Sequence, residues 1–111
     1  MNREAAVIIK EMQSKPTKSC VVIDEAHVFD PQIAEGIGVD LDCILVSQPE
    51  SRGETIKILR TLVRDMDNAC IILMMEQNLA SVGVGAIRQI SERANEKHTS
   101  IIDLSWCNAT E

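Results

Sequence analysis

Residues 20–27 read Cys-Val-Val-Ile-Asp-Glu-Ala-His, a run of four apolar residues that ends in two carboxylates. A continuous apolar run, without polar residues at alternate positions, predicts a β-strand that is buried on both faces. Carboxylates directly after such a strand lie at its carboxyl end, where α/β sheets bind their ligands. This stretch therefore predicts an α/β fold and indicates where a functional site would lie.

Three further apolar runs follow, at residues 43–46, 70–74 and 101–102. Helical patterns alternate with the runs, and their predicted N-terminal caps are Asn2, Asp30, Ser51 and Ser81. Buried strands separated by amphipathic helices need crossover connections, which favours parallel pairing. We predict one domain over residues 1–111, a three-layer α/β sandwich with a mostly parallel sheet of about four strands, or an incomplete form of it.

The composition fits a globular domain and argues against several classes of protein. Of the 111 residues, 45% are hydrophobic and 25% are charged. The net charge of −6 argues against generic binding to a nucleic-acid backbone, because such binders neutralise phosphates with an excess of Lys and Arg. The apolar runs are too short to cross a membrane, and the first residues lack the features of a signal peptide, so we expect a cytoplasmic protein.

Four cysteines, Cys20, Cys43, Cys70 and Cys107, are widely spaced and form no CxxC pair. Zinc sites usually take ligands in close pairs, so this spacing is a weak signal for a metal. We expect the cysteines to fill the core as small apolar side chains, with a disulfide or a metal site as the alternative.

Residues 24–27, Asp-Glu-Ala-His, have the form of the DEAH variant of the Walker B motif. In nucleotide hydrolases one such carboxylate orients magnesium and a neighbouring one polarises water, roles that would fall to Asp24 and Glu25. The alternative is that the two carboxylates cap a turn and that His27 is a surface or hydrogen-bonded polar residue.

The longer segment 24–64 closely resembles the core of bacterial RecA recombinases. The matching pieces are His27, Asp30-Pro31, Gly38-Val39-Asp40, Ser47-Gln48-Pro49 and Gly53-Glu54, in the family's order and spacing. The resemblance extends more weakly back to Ala5 and forward to about Trp106. It implies an incomplete RecA-like core, about a third of a recombinase, and a link to DNA recombination or repair.

The residues that the resemblance implies for ATP hydrolysis are absent or displaced. No G-x-x-x-x-G-K-[ST] phosphate loop occurs in the 111 residues, and in this alignment the chain begins within the helix that follows that loop. The family's catalytic glutamate would fall at Ala26, with Glu25 one residue earlier and pointing the other way. Its magnesium-binding aspartate would fall at Met74, and its nucleotide-sensing glutamine near Trp106. We therefore expect no catalytic residue, no metal and no cofactor, and treat Asp24, Glu25 and His27 as relics.

DNA contact is also disfavoured by the resemblance. The segment that would form the family's first DNA loop, about residues 77–85, has no Lys or Arg. A small basic patch of Arg52, Lys57, Arg60 and Arg64 remains on one predicted helix as a candidate interaction surface. Such a patch is usually the solvated side of an amphipathic helix, so we do not expect direct DNA binding.

The functional hypothesis is a catalytically inactive RecA-like domain that acts through protein contacts, either on a full-length recombinase or in its own assembly. Two alternatives stay open: a DEAH-type ATPase subunit that uses a partner's phosphate loop, and a remnant without selected activity. Loss of the phosphate-loop strand should leave unpaired strand edges, which predicts a dimer. The alternative is that the four strands close into a smaller sheet.

Overall fold

Four parallel strands form one sheet in the computed structural model, which describes residues 1–15, 18–77 and 83–105. The strands are β1 (Ser19–Asp24), β2 (Ile44–Ser47), β3 (Ala69–Met74) and β4 (Ser100–Asp103), in the spatial order β2-β1-β3-β4. The helices are α1 (Arg3–Gln13), α2 (Pro31–Ile37), α3 (Arg52–Asp65) and α4 (Val84–Glu96), and a 3₁₀ turn (Leu41–Cys43) precedes β2. The predicted α/β class, parallel sheet and four strands are confirmed.

Three of the helices begin at the predicted capping residues. Asn2, Asp30 and Ser51 each accept a hydrogen bond from a backbone amide in the first turn of the helix that follows. These bonds satisfy amide groups that would otherwise lack a partner. The fourth predicted cap, Ser81, lies outside the described residues, and α4 begins after Gly83 without a side-chain cap.

Helices cover both faces of the sheet, as a three-layer sandwich requires. Helices α1 and α2 pack on one face, where β1 and β3 contribute Cys20, Val22, Cys70, Ile72 and Met74. Helices α3 and α4 pack on the other face, where the strands contribute Ile23, Ile71 and Leu73. Consecutive strand residues point to opposite faces. The uninterrupted apolar runs of β1 and β3 therefore supply both cores.

The sheet is continuous across the four described strands. β1 pairs with β3 at six positions and β3 pairs with β4 at four, so the four described strands form one sheet without an internal gap. Direct pairing satisfies the backbone groups that a gap would have left exposed. The unpaired edges of the sheet lie on β2 and β4, and the dimer expected from unpaired edges stays a prediction. No helix within the described ranges is long and apolar enough to cross a membrane.

The cysteines divide between core and surface. Cys20 and Cys70 are buried partners on adjacent strands, which confirms the core-filling prediction for both. Their hydrogen-bonded contact, together with burial, raises the pKa of Cys20. The prediction is wrong for Cys43, which is exposed because it ends the 3₁₀ turn beside the edge strand, and its thiol donates to Asp40 Oδ2 at 3.3 Å. Cys107 lies outside the described residues.

Candidate functional site

The predicted site lies where the carboxyl ends of β1, β2 and β3 meet. Asp24 is the last residue of β1, and its Cα partner on the neighbouring strand is Met74, the last residue of β3. Gln48 directly follows β2. Because residues paired in register point to the same face of a sheet, Asp24 and Met74 lie side by side beneath α1 and α2.

Asp24 is fully buried and holds the turn that follows β1. Its Oδ1 accepts a hydrogen bond from the Val28 amide at 3.0 Å, and its Oδ2 accepts one from the Phe29 amide at 2.8 Å. The Gln48 side-chain amide donates a third bond to Oδ2 at 3.0 Å. Three donors thus satisfy this carboxylate, as in the turn-capping alternative.

Glu25 points to the opposite face and is bound by the first turn of α3. Arg52 Nε donates to Glu25 Oε1 at 2.9 Å, and Thr55 Oγ1 donates to the same oxygen at 2.6 Å. Arg52 Nη2 also donates to the backbone oxygen of Gln77 at 2.8 Å. This network ties the ends of β1 and β3 to α3. The reversal of side-chain direction between Asp24 and Glu25 follows from their adjacent positions at the end of the strand.

Burial and hydrogen bonding act in opposite directions on the pKa of Glu25. Burial raises the pKa of Glu25. The hydrogen bonds from Arg52 and Thr55, together with the charge of Arg52, lower it by more, so the net pKa lies below the ordinary value of 4.5. Its side chain is 17% exposed, and that of Arg52 is 26% exposed. The pair is therefore shielded enough to contribute to stability.

Glu25→Gln should remove a pH-dependent part of the stability. Because the folded-state pKa is lowered, the contribution is present above the unfolded pKa and is lost as the pH falls through the folded pKa. We expect the wild type to be more stable than the variant by about 1 kcal/mol at pH 7, with the difference shrinking towards pH 3. Urea unfolding at several pH values measures it. Glu11→Gln, on the exposed surface of α1, is the matched control, and a pH-independent difference would contradict the prediction.

His27 and Ala26 are the other two residues of the predicted motif. His27 is exposed, has a positive φ of 58°, and lies with Nε2 3.3 Å from the Pro49 backbone oxygen. The amide of Ala26 donates to the Met74 backbone oxygen at 3.0 Å. Within the described residues, no group of three or more His, Cys, Asp or Glu side chains could hold a metal ion.

The structure divides the predicted basic patch between two places. Arg52 belongs to the Glu25 network, whereas Lys57, Arg60 and Arg64 lie further along α3 and line a groove between α3 and α4. Arg64 pairs with the neighbouring Asp65 at 2.8 Å. Its pKa is raised by that hydrogen bond and charge.

Two site residues were not anticipated from the sequence. Thr55 is fully buried, and Gln48 donates to Asp24, but the sequence pattern predicted neither role. The available signal for Thr55 is its spacing, because it lies four residues before the buried Leu59 and therefore on the same face of α3. Segment 77–85 lies partly, and Trp106 wholly, outside the described residues.

Comparison with known proteins gives the family of this chain. The sequence model of the RecA N-terminal domain matches residues 4–100. A relative named Protein RecA from Ruegeria pomeroyi is 31% identical over 105 residues, covering 86% of this chain and 30% of the relative. Protein RecA from Ruminococcus albus is 30% identical over 108 residues, covering 88% of this chain and 27% of the relative.

The similarity is higher over a shorter stretch. Protein RecA from Chlorobaculum tepidum is 49% identical over 43 residues, which are 39% of this chain and 12% of the relative. The chain spans less than a third of the length of the curated relatives it matches. The family model covers most of the chain, and the parallel sheet agrees with it. The chain belongs to the RecA N-terminal domain family.

Proposed function

We propose that this chain is a RecA-fold domain that takes part in DNA recombination through contacts with other protein chains and does not hydrolyse ATP. The proposal rests on the residues at the carboxyl ends of β1 and β3. The family resemblance implies that Met74 falls at the position of the magnesium-binding aspartate, and the Met74 side chain is fully buried. A thioether on that position offers magnesium no oxygen ligand.

The two nearby carboxylates are engaged by protein groups. Asp24 accepts three hydrogen bonds, and Glu25 is held by Arg52 and Thr55. Recruiting either one for a metal or a water molecule would leave buried or half-buried donors without partners, at a cost of about 1–3 kcal/mol for each donor. Phosphoryl transfer depends on positioned metal and charge, so this arrangement supports a non-catalytic role.

The edge strand β2 is the surface we assign to contact with a recombinase. β2 pairs with β1 on one side, and its Leu45 side chain is 63% exposed. Along the same strand, Ile44 and Val46 border a groove with Phe29 and Leu41. An apolar edge strand of this kind can receive an added strand through backbone hydrogen bonds. The link to recombination rests on membership of the RecA N-terminal domain family.

Calorimetric titration with ATP and magnesium tests the first half of the proposal. We expect no saturable binding at micromolar concentration and no hydrolysis, because Asp24 and Glu25, the two carboxylates at the end of β1, already accept hydrogen bonds from protein groups. Saturable binding or turnover would contradict the proposal. Turnover that appears only when a second protein supplies a phosphate loop would favour the alternative of an ATPase subunit.

Co-purification with a full-length recombinase tests the second half. We expect Leu45→Lys to weaken the complex at least about tenfold, because a charge would be buried where an apolar contact is lost. Val7→Lys is the matched control, since Val7 is also apolar and 42% exposed but lies on α1. Equal binding by the wild type and both variants would exclude β2 as the contact. Absence of any complex would contradict the proposed partner.

A further inference from the structure

We propose that the groove between α3 and α4 is the interface of a two-fold symmetric dimer of this chain. The groove is open to solvent and has a volume of about 680 Å³. Its apolar floor consists of Val63 and Ile90, which are 3% and 2% exposed. Exposed polar side chains from both helices form its two rims. The groove lies across the sheet from α1 and α2, and it is separate from the Asp24 and Glu25 site and from the β2 edge.

The two rims carry opposite charges. On the α3 rim, Lys57 and Arg60 are exposed and have no ion partner within the described residues. On the α4 rim, Glu92 is likewise exposed and unpaired within those residues. Arg60 and Glu92 therefore line the same groove without reaching each other. Because these opposite charges line one groove without pairing with each other, they favour a ligand that carries both a positive and a negative group.

Two ion pairs, each within one helix, do not change this difference in charge between the rims. Arg64 on the α3 rim is neutralised by Asp65 at 2.8 Å, and on α4 Arg93 lies 3.6 Å from Glu96. All four of these side chains are more than half exposed. Exposed pairs of this kind hold their geometry weakly. Among the residues that line the groove, the charges without an ion pair are therefore Lys57 and Arg60 on α3 and Glu92 on α4.

A second copy of the chain satisfies both rims at once. Helices α3 and α4 each return from the end of a parallel strand, so they run in the same direction. A two-fold axis along the groove would place α3 of one copy over α4 of its partner, with residues at equal heights facing each other. Each basic rim then meets an acidic rim, and the contact forms twice. A ligand of a single charge would attract one rim and repel the other.

This inference goes beyond the proposed function and does not depend on it. The dimer needs no recombinase and no nucleotide, so its formation can be measured with the purified chain alone. Loss of the dimer would leave the β2 contact untouched. Conversely, Leu45→Lys is expected to leave the dimer intact.

Charge reversal followed by mixing is the decisive experiment. We expect the wild type to sediment as a dimer at micromolar concentration, and high salt to weaken the dimer because it screens the exposed charges. Arg60→Glu and Glu92→Arg should each give a monomer, because residues 60 and 92, which face each other across the proposed interface, then carry the same charge. An equimolar mixture of the two variants should restore a dimer. In that mixed dimer every negative rim faces a positive one. The double variant Arg60→Glu, Glu92→Arg should also dimerise.

Matched controls separate this interface from a general charge effect. Arg3→Glu and Glu11→Arg reverse exposed charges on α1, which packs on the opposite face of the sheet, and should leave the dimer unchanged. Far-ultraviolet circular dichroism verifies that every variant is folded. A wild type that stays monomeric overturns the proposal, as does a dimer that survives both reversals or a mixture that fails to associate. A monomer that binds heparin through Arg60 would instead identify an anionic occupant and would also overturn it.

Discussion

Replacing Met74 by aspartate is expected to lower the free energy of unfolding by roughly 3 kcal/mol or more, without creating ATPase activity. The Met74 side chain is fully buried within the core beneath α1 and α2. Its Cα partner is Asp24, which is itself fully buried. The new carboxylate would therefore lie beside a second carboxylate in an apolar setting, and both burial and like charge oppose its ionisation.

Met74→Leu is the control for this substitution, because it keeps the volume and adds no charge. Its cost should stay below about 1.5 kcal/mol. Urea unfolding followed by circular dichroism measures both variants. A triple variant, Met74→Asp with Glu25→Ala and Ala26→Glu, restores the family's carboxylates and should still lack turnover. A measurable ATPase rate in the triple variant would contradict the proposed function.

Asp24→Ala is the second substitution with a large expected effect, about 3 kcal/mol of lost stability. Removing the carboxylate leaves the amides of Val28 and Phe29 and the side chain of Gln48 without their acceptor. Each unsatisfied donor costs about 1–3 kcal/mol when it stays buried, and partial access to water reduces the sum. Asp24→Asn should cost less, because one oxygen can still accept from a backbone amide.

Asp42→Ala provides the comparison for Asp24→Ala, since Asp42 is an exposed acid in the 3₁₀ turn. Its effect should stay within about 0.5 kcal/mol. The two variants are compared by urea unfolding at neutral pH. Equal stabilities of the two variants would mean that Asp24 is not the structural centre of the turn. A loss of magnesium binding in Asp24→Ala, without a loss of stability, would assign Asp24 to a metal instead.

Elements with a local cause were predictable from the sequence. The strand runs at residues 20–23 and 70–74 are uninterrupted because both faces of the sheet are covered. The caps Asn2, Asp30 and Ser51 act on amides within three residues, so their role depends on little beyond their neighbours. The order of motifs in residues 24–64 carried enough information to indicate the family.

The roles of Asp24 and Glu25 depended on the tertiary structure. The sequence permits a metal site or a capped turn, because both begin with carboxylates after a strand. The choice depends on Gln48, Arg52 and Thr55, which lie 24, 27 and 30 residues further along the chain. Folding brings these donors to the strand ends, and only their positions reveal that both carboxylates are already engaged.

Periodicity, caps and motif order are local properties of the chain, so they were enough to predict the main helices and strands, the parallel α/β class and the family. The order of the strands in the sheet and the relative positions of distant charged residues depend on the tertiary structure. β3 pairs with both β1 and β4 because that arrangement satisfies the backbone along its whole length. Likewise, Arg60 and Glu92 are 32 positions apart in the sequence, and only the packing of α3 beside α4 places them on opposite rims of one groove.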